Sequence, residues 1–165
     1  MNFALTSDQE QIRDAIERVC KPFDADYWLK KDQEGGFPID FHRALADSGW
    51  LGIAMPEEYG GAGLGITEAA LMMRTISATG AGLSGASAVH MNIFGLHPVV
   101  VFGSDGQRKR WLPPLIAGQD KACFGVTEPN TGLNTLKLKT CRFCLGCLPW
   151  CARVITMSCM GKRSG

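Results

Sequence analysis

The sequence predicts an all-α fold: an N-terminal helical bundle, one or two short strands after residue 121, and an irregular C-terminal tail. Apolar residues recur at helical spacing through most of the first 118 positions. The apolar segments begin with capping residues, end at glycine or proline, and are separated by short connections. At 165 residues the chain is long enough for one domain with a sizeable core.

The first three helices are predicted from their ends and their apolar faces. The residues that mark them are, in chain order, Thr6, Ile12, Ile16, Cys20 and Pro22; Trp28 and Gly35; and Pro38, Phe41, Leu45 and Gly49. Thr6 can cap the first helix, and Pro38 suits the first turn of the third. We expect Cys20 to be a small core residue rather than a reactive thiol.

A loop is predicted over residues 56–65, which contain five glycines or prolines. No strand precedes its glycines and no Lys-Ser/Thr follows them, so the pattern favours a structural turn over a phosphate-binding loop. Thr67 can cap the next helix, which runs to Gly80.

Two further helices complete the predicted bundle. The segment 83–102 is apolar on nearly every side, which predicts a central helix packed all round. Ser104 can cap a last helix that ends at Gly118, and Pro113-Pro114 predict a kink or a break within it.

The three histidines do not predict a metal site. His42 lies on the polar face of its predicted helix, so we expect it to be solvated. His90 and His97 lie in the apolar segment, where a core histidine is the expected role. None is paired with an acid or a cysteine at metal-ligand spacing.

Composition excludes several classes of protein. The net charge is +1 and there is no basic stripe, which argues against a nucleic-acid binder. The first apolar stretch is short and interrupted by acids, so no signal peptide is predicted, and no run is long enough to span a bilayer. We therefore expect a cytoplasmic, reducing location.

A strand followed by a tight turn is predicted after the bundle. Residues 123–127 have the composition of a strand, and Pro129-Asn130-Thr131-Gly132 reads as a turn. The unpaired backbone N–H groups and the Thr127 hydroxyl at such an end can bind the polar edge of a flat heterocycle or an anion. From these residues alone, an ordinary strand and turn is the favoured interpretation, and ligand binding is the alternative.

Gly125-Val126-Thr127-Glu128-Pro129, with Gly132 after the turn, resembles the signature of the FAD-dependent acyl-CoA dehydrogenases. Other motifs are similar to the family's N-terminal half in order and spacing: Phe37-Pro38, Gly49-Trp50-Leu51-Gly52, Pro56-Glu57-Glu58-Tyr59-Gly60-Gly61, Gly103-Ser104-Asp105-Gly106-Gln107 and Trp111-Leu112-Pro113. The resemblance covers residues 1 to about 140. The sequence departs from the family at Leu133, where Ser or Thr is usual, and at Asn134, where Asp is usual.

The resemblance implies a fold, a cofactor and a site. An all-helical N-terminal domain over residues 1–120 would be followed, over 121–140, by the start of a β-barrel domain. It implies that Phe124, Val126 and Thr127 lie along the flavin of FAD and that Ser87, Met91 and Phe94 line the acyl pocket. In the family's reaction a carboxylate removes the α-proton of an acyl-CoA while a hydride leaves the β-carbon for the flavin.

No catalytic residue is expected in this chain. The family's catalytic glutamate belongs to a C-terminal helical domain, and Glu128 would be a scaffold residue of the turn. The resemblance further implies electron transfer to an electron-transferring flavoprotein and a homo-oligomer for the full-length family. We expect this chain to be inactive alone and to bind FAD weakly or not at all.

Residues 141–165 differ abruptly in composition from the rest. All 16 acidic residues precede them, and they hold five of the seven cysteines. Cys141, Cys144, Cys147 and Cys151 match a bacterial ferredoxin spacing, but Ala152 replaces the usual proline and no second motif follows. When the possible codons of the tail are read one base earlier, they are compatible with the sequence of the family's next strands. We therefore favour a reading-frame slip near Thr140. The alternatives are a small iron–sulfur electron carrier and a non-catalytic helical binding module.

Overall fold

The computed structural model describes residues 4–124, 144–145 and 154–157, and the side chains of residues 4–122. Within this part of the chain lie seven α-helices: α1 (Ser7–Cys20), α2 (Ala25–Glu34), α3 (Ile39–Asp47), α4 (Ile66–Ile76), α5 (Gly82–Phe94), α6 (His97–Phe102) and α7 (Asp105–Ile116). The predicted all-α class is confirmed.

Capping residues define the starts of the helices. At α1 the Gln9 N–H donates to the Thr6 hydroxyl at 3.3 Å, and the Thr6 N–H donates to Gln9 Oε1 at 3.2 Å. Ser104 and Gln107 form the same reciprocal box at α7. These boxes satisfy donors that the first helical turn leaves without partners. The start of α4 differs from the prediction, because Gly65 rather than Thr67 is its N-cap.

The first hydrophobic cluster joins α1, α3, α4 and α5. Ile16, Phe41, Leu45, Met72 and Ile76 are fully buried in it. The rings of Phe23, Tyr27, Trp28 and Phe41 meet edge to face, with centroids 4.9–5.3 Å apart. Cys20 is a free thiol at 2% exposure in this cluster, as expected of a core residue.

The second cluster joins α6, α7 and the residues that follow α7. Leu96, Val99, Leu112, Leu115 and Ala122 are among its buried members.

Proline does not divide α7. Pro113 and Pro114 lie inside α7, which is one continuous helix, so the predicted break does not occur. The fixed φ of proline is helical. The carbonyls of Pro113 and Pro114 accept bonds from the N–H groups of Ala117 and Gln119 at 3.0 and 2.9 Å, which continues the last turn.

The glycine-rich loop folds back on the segment before it. The N–H groups of Ala62, Gly63 and Leu64 donate to the carbonyls of Gly52, Met55 and Ile53 at 3.0, 2.8 and 3.0 Å. These three N–H groups are therefore hydrogen-bonded to the preceding segment and do not form a phosphate-binding cradle, in agreement with the predicted structural turn.

The helical run Ile66–Phe102 is interrupted twice. Gly80 has a φ of 96° between α4 and α5, and Gly95-Leu96 separates α5 from α6, so the predicted single helix over 83–102 is divided. By length and composition alone this run of 37 residues could cross a membrane, contrary to our expectation that no run is long enough. Half of its most apolar window is buried in the bundle. Core helices share these properties, so the run alone does not indicate a membrane span.

A small sheet lies after the bundle. Its strands β1 (Lys121–Phe124), β2 (Cys144–Leu145) and β3 (Val154–Met157) are ordered β1-β3-β2. β3 runs parallel to β1, with Lys121 opposite Val154, and antiparallel to β2. The sequence predicts one or two strands and an irregular tail, so the pairing of tail residues with β1 was not predicted.

Candidate functional site

One face of α5 is left uncovered by the described residues. Ser87 is exposed, and Met91 and Phe94 are half-buried. Val89 and Ile93 on the opposite side are at most 6% exposed in the first cluster. Because a helix has 3.6 residues per turn, positions 87, 91 and 94 form one stripe. The three residues that the resemblance predicts for the acyl pocket are therefore adjacent, while their role toward a substrate stays a prediction.

His90 lies on the same stripe. Its ring centroid is 4.3 Å from that of Phe94, with the planes tilted by 49°. His90 is half-buried and His97 is exposed, so the prediction that both are core histidines is wrong. For His90 the reason is that α5 is not packed on all sides, as the 84% exposure of Leu83 shows. The i, i+3 spacing from Ser87 could have placed His90 on this face.

A small residue lets α5 approach its neighbours closely. A Cβ placed on Gly85 would lie 3.1 Å from Ile76 Cγ2 and 3.3 Å from Trp28 Cζ2. Such distances are tighter than ordinary side-chain packing. Gly85 thus sets how closely α5 lies against α2 and α4, and with it the position of the stripe.

The C-terminal end of α5 contacts β1. A Cβ on Gly95 would lie 2.7 Å from the Cβ of Ala122, which is 7% exposed. Phe124, the first residue predicted to lie along the flavin, ends β1 two positions later. Val126 and Thr127 lie outside the described residues, so their flavin contacts stay predictions. The start of the predicted cofactor strand therefore lies beside the end of the predicted acyl stripe.

An apolar cavity of about 520 Å³ opens beside Phe94. Its walls include Leu64 and Ile66 at the start of α4, and Ile93 and His97 around the junction of α5 and α6. This cavity could not be predicted from the sequence, because its lining residues come from segments that only the fold brings together. Its lining contains no Asp, Glu, Lys or Arg, so it can receive an apolar group.

A buried polar connection links α3, α5 and α7. Asn92, 2% exposed, donates from Nδ2 to the Leu115 carbonyl at 3.3 Å. His42, 3% exposed, hydrogen-bonds to the Asn92 side chain, and its Nε2 is buried without a hydrogen-bond partner among the described residues.

The prediction that His42 is solvated is therefore wrong. The ring centroid of Phe37 lies 5.2 Å from that of His42, and a Cβ on Gly118 would lie 3.6 Å from His42 Cε1. Burial lowers the pKa of His42, and the charge of Lys121 lowers it further, while the Asn92 hydrogen bond opposes them.

No group of three His, Cys, Asp or Glu side chains close enough to hold a metal ion occurs among the described residues. The side chains of Cys141, Cys144, Cys147 and Cys151 lie outside the described side chains, so the ferredoxin-like spacing stays an untested prediction.

Residues 6–119 match the family model described as acyl-CoA dehydrogenase, N-terminal domain. A similar curated protein is the probable acyl-CoA dehydrogenase YngJ of Bacillus subtilis (strain 168). It is 37% identical over 134 residues, which cover 80% of this chain and 34% of that protein.

Two solved structures share the fold and more than a quarter of the aligned residues. Butyryl-CoA dehydrogenase from Megasphaera elsdenii has a TM-score of 0.70 and 26% identity, covering 82% of this chain and 36% of that chain. The electron transferring flavoprotein of Acidaminococcus fermentans, described in connection with flavin-based electron bifurcation, has a TM-score of 0.74 and 28% identity, covering 83% and 36%. The chain spans about a third of the length of the relatives it matches. By its helical bundle and by the match over residues 6–119, the chain belongs to the acyl-CoA dehydrogenase family.

Proposed function

We propose that this chain is the N-terminal part of an FAD-dependent acyl-CoA dehydrogenase and that it does not turn over by itself. The reaction is α,β-desaturation of an acyl-CoA thioester. The observation that carries the proposal is the contact between Gly95 and Ala122, which sets the predicted cofactor strand beside the predicted acyl stripe. A desaturase needs this arrangement, because the flavin must reach the substrate carbons next to the thioester.

The residues of this chain have binding roles in the proposal. Ser87, Met91 and Phe94 hold and orient the acyl group on α5, while Phe124, Val126 and Thr127 contact FAD. When bound, FAD supplies the hydride acceptor. No base is proposed here: Glu128 lies outside the described residues and is assigned to the turn, and the base is assigned to the family's C-terminal helical domain, outside residues 1–165.

The proposed partners follow from family membership. They are an acyl-CoA substrate, an electron-transferring flavoprotein that takes the electrons, and further copies of the full-length protein in a homo-oligomer. A cytoplasmic location is part of the proposal, and fractionation of the source cells would test it.

The first test is an assay of the purified 165-residue chain with FAD, an acyl-CoA and an artificial electron acceptor. We expect no desaturation and at most weak retention of flavin after gel filtration. The full-length YngJ of Bacillus subtilis serves as the positive control. Acceptor reduction that depends on acyl-CoA would contradict the proposed lack of turnover. Amide shifts on α5 when acyl-CoA is added would support the substrate assignment.

The domain boundaries are proposed at residues 120 and 140, with residues 141–165 out of frame. Sequencing the gene across codon 140 tests this. A shifted reading frame that continues into the family's next strands would support the assignment of residues 141–165 as out of frame. The iron–sulfur alternative predicts a brown protein after anaerobic reconstitution, with the colour lost in Cys144→Ser. A colourless reconstituted chain would exclude that alternative.

A further inference from the structure

We infer that His90 selects acyl groups whose distal end carries a hydrogen-bond acceptor, a carboxylate or a hydroxyl, over plain hydrocarbon chains. The inference rests on the proposed function, because it takes the α5 stripe as the acyl-binding face. It adds a residue and a substrate class that the family membership alone does not supply.

The first step is the direction in which the acyl group lies. β1 contacts α5 at Gly95, and the predicted flavin residues begin at Phe124 at the end of β1. The reacting carbons must lie next to the flavin and therefore near Phe94. The rest of the acyl group then extends along the stripe toward the N-terminal end of α5.

The second step is the change of chemistry along that stripe. Phe94 and Met91, nearest to the reacting end, are apolar. His90 and Ser87 follow within the next two turns and are polar. From Gly95 to His90 the helix rises about 7.5 Å, at about 1.5 Å per residue. An acyl chain of a few carbons would thus bring its distal end to an imidazole.

The third step is the state of His90. Its ring is fixed against Phe94 at 4.3 Å and is half-buried, so one side is still open to solvent. An acyl group that covers this side removes water from the imidazole. A hydrocarbon end would leave an imidazole N–H without a partner, whereas a carboxylate or hydroxyl oxygen would accept from it. A site of this kind discriminates against the analogue that lacks the polar group.

The test compares two thioesters of similar length, glutaryl-CoA and pentanoyl-CoA, with 5-hydroxypentanoyl-CoA as a third probe. Binding to the 165-residue chain is followed by amide shifts on α5. We expect glutaryl-CoA to bind about tenfold more tightly than pentanoyl-CoA. This is the ratio of dissociation constants expected when one hydrogen-bond donor is left unpaired. A preference for 5-hydroxypentanoyl-CoA over pentanoyl-CoA as well would show that any hydrogen-bond acceptor at the distal end is enough for selection. A preference for glutaryl-CoA alone would assign the effect to the carboxylate.

Three variants separate His90 from general effects. His90→Leu should abolish the preference, and His90→Gln, which keeps an N–H donor, should retain part of it. Gln11→Leu is the control, because Gln11 is exposed on α1 and lies off the α5 stripe. Binding of both thioesters without preference, or an unchanged ratio in His90→Leu, would overturn the inference and leave the proposed function standing. Failure of every thioester to bind would overturn the inference together with the acyl-binding roles assigned to α5, whereas the assignment of the chain as an N-terminal part without turnover does not depend on this result.

Discussion

Lys121 Nζ lies 3.8 Å from the centre of the Phe37 ring, which joins the first residue of β1 to the loop before α3. The Phe37 ring meets His42 edge to face at 5.2 Å. His42 in turn hydrogen-bonds to Asn92, and Asn92 donates to the Leu115 carbonyl. The start of the predicted cofactor strand is therefore linked to α3, α5 and α7 through a short series of contacts.

The contact between Lys121 and Phe37 should contribute a measurable coupling energy. A double-mutant cycle with Lys121→Met and Phe37→Leu should give about 0.5–1 kcal/mol, the size of a partly exposed cation–π pair. Urea denaturation followed by tryptophan fluorescence provides the four free energies of unfolding. The matched control is Lys31 above Tyr27, where the separation is 5.9 Å and the coupling should be smaller. Equal couplings in the two cycles would contradict the assignment.

Asn92 should matter for stability far more than its exposed neighbours on α5. Asn92→Ala removes a donor to the buried Leu115 carbonyl and a partner of His42, which should cost about 2–3 kcal/mol. Ser87→Ala, at an exposed position, should change stability by less than about 0.5 kcal/mol. Urea denaturation of both variants checks this. Similar losses in the two would mean that the polar connection does not hold the helices together.

Local signals allowed much of the bundle to be predicted. The capping boxes formed by Thr6 with Gln9 and by Ser104 with Gln107 involve residues three apart, so a short stretch of sequence is enough to predict them. The apolar face that includes Ile16 and Cys20 is likewise a property of one helix.

Features that depend on how distant segments meet could not be predicted. His42 lies on a face that looks polar within its own helix, yet Phe37, Asn92 and Gly118 cover it. The resemblance pointed to Ser87, Met91 and Phe94, whose role toward a substrate stays a prediction, and not to His90, which lies on the same stripe. The cavity beside Phe94 depends on a loop that returns to α5 in the folded chain.

Gly60 and Gly61 should respond differently to alanine, although they are neighbours. Gly60 has a φ of 91° with open space around it, so Gly60→Ala should cost about 1 kcal/mol through backbone strain. A Cβ on Gly61 would collide with the carbonyl oxygen of Met55, and a backbone atom cannot move aside as the end of a side chain can. Gly61→Ala should therefore cost about 3 kcal/mol. Thermal and urea denaturation of the two variants would reveal the order, and the reverse order would contradict this account of the loop.

The buried imidazole of His42 should make stability depend on pH. Burial lowers the pKa of His42 in the folded chain below the ordinary value of 6.5. Between that lowered pKa and 6.5 the unfolded chain binds more protons than the folded one, so the free energy of unfolding rises with pH in this interval. The contribution is fully present above 6.5 and is lost as the pH falls toward the lowered value. Urea denaturation at a series of pH values from about 7.5 to 5.5 measures this slope.

Two variants isolate the contribution of His42 from that of other groups. His42→Gln does not titrate, so its stability should decline less than that of the unmodified chain over the same pH interval. His97→Gln is the control, because it makes the same substitution at an exposed position on α6, away from the buried side chains around His42. Parallel pH profiles for the unmodified chain and His42→Gln would show that water or another group reaches Nε2. In that case the imidazole would not be sealed between α3, α5 and β1.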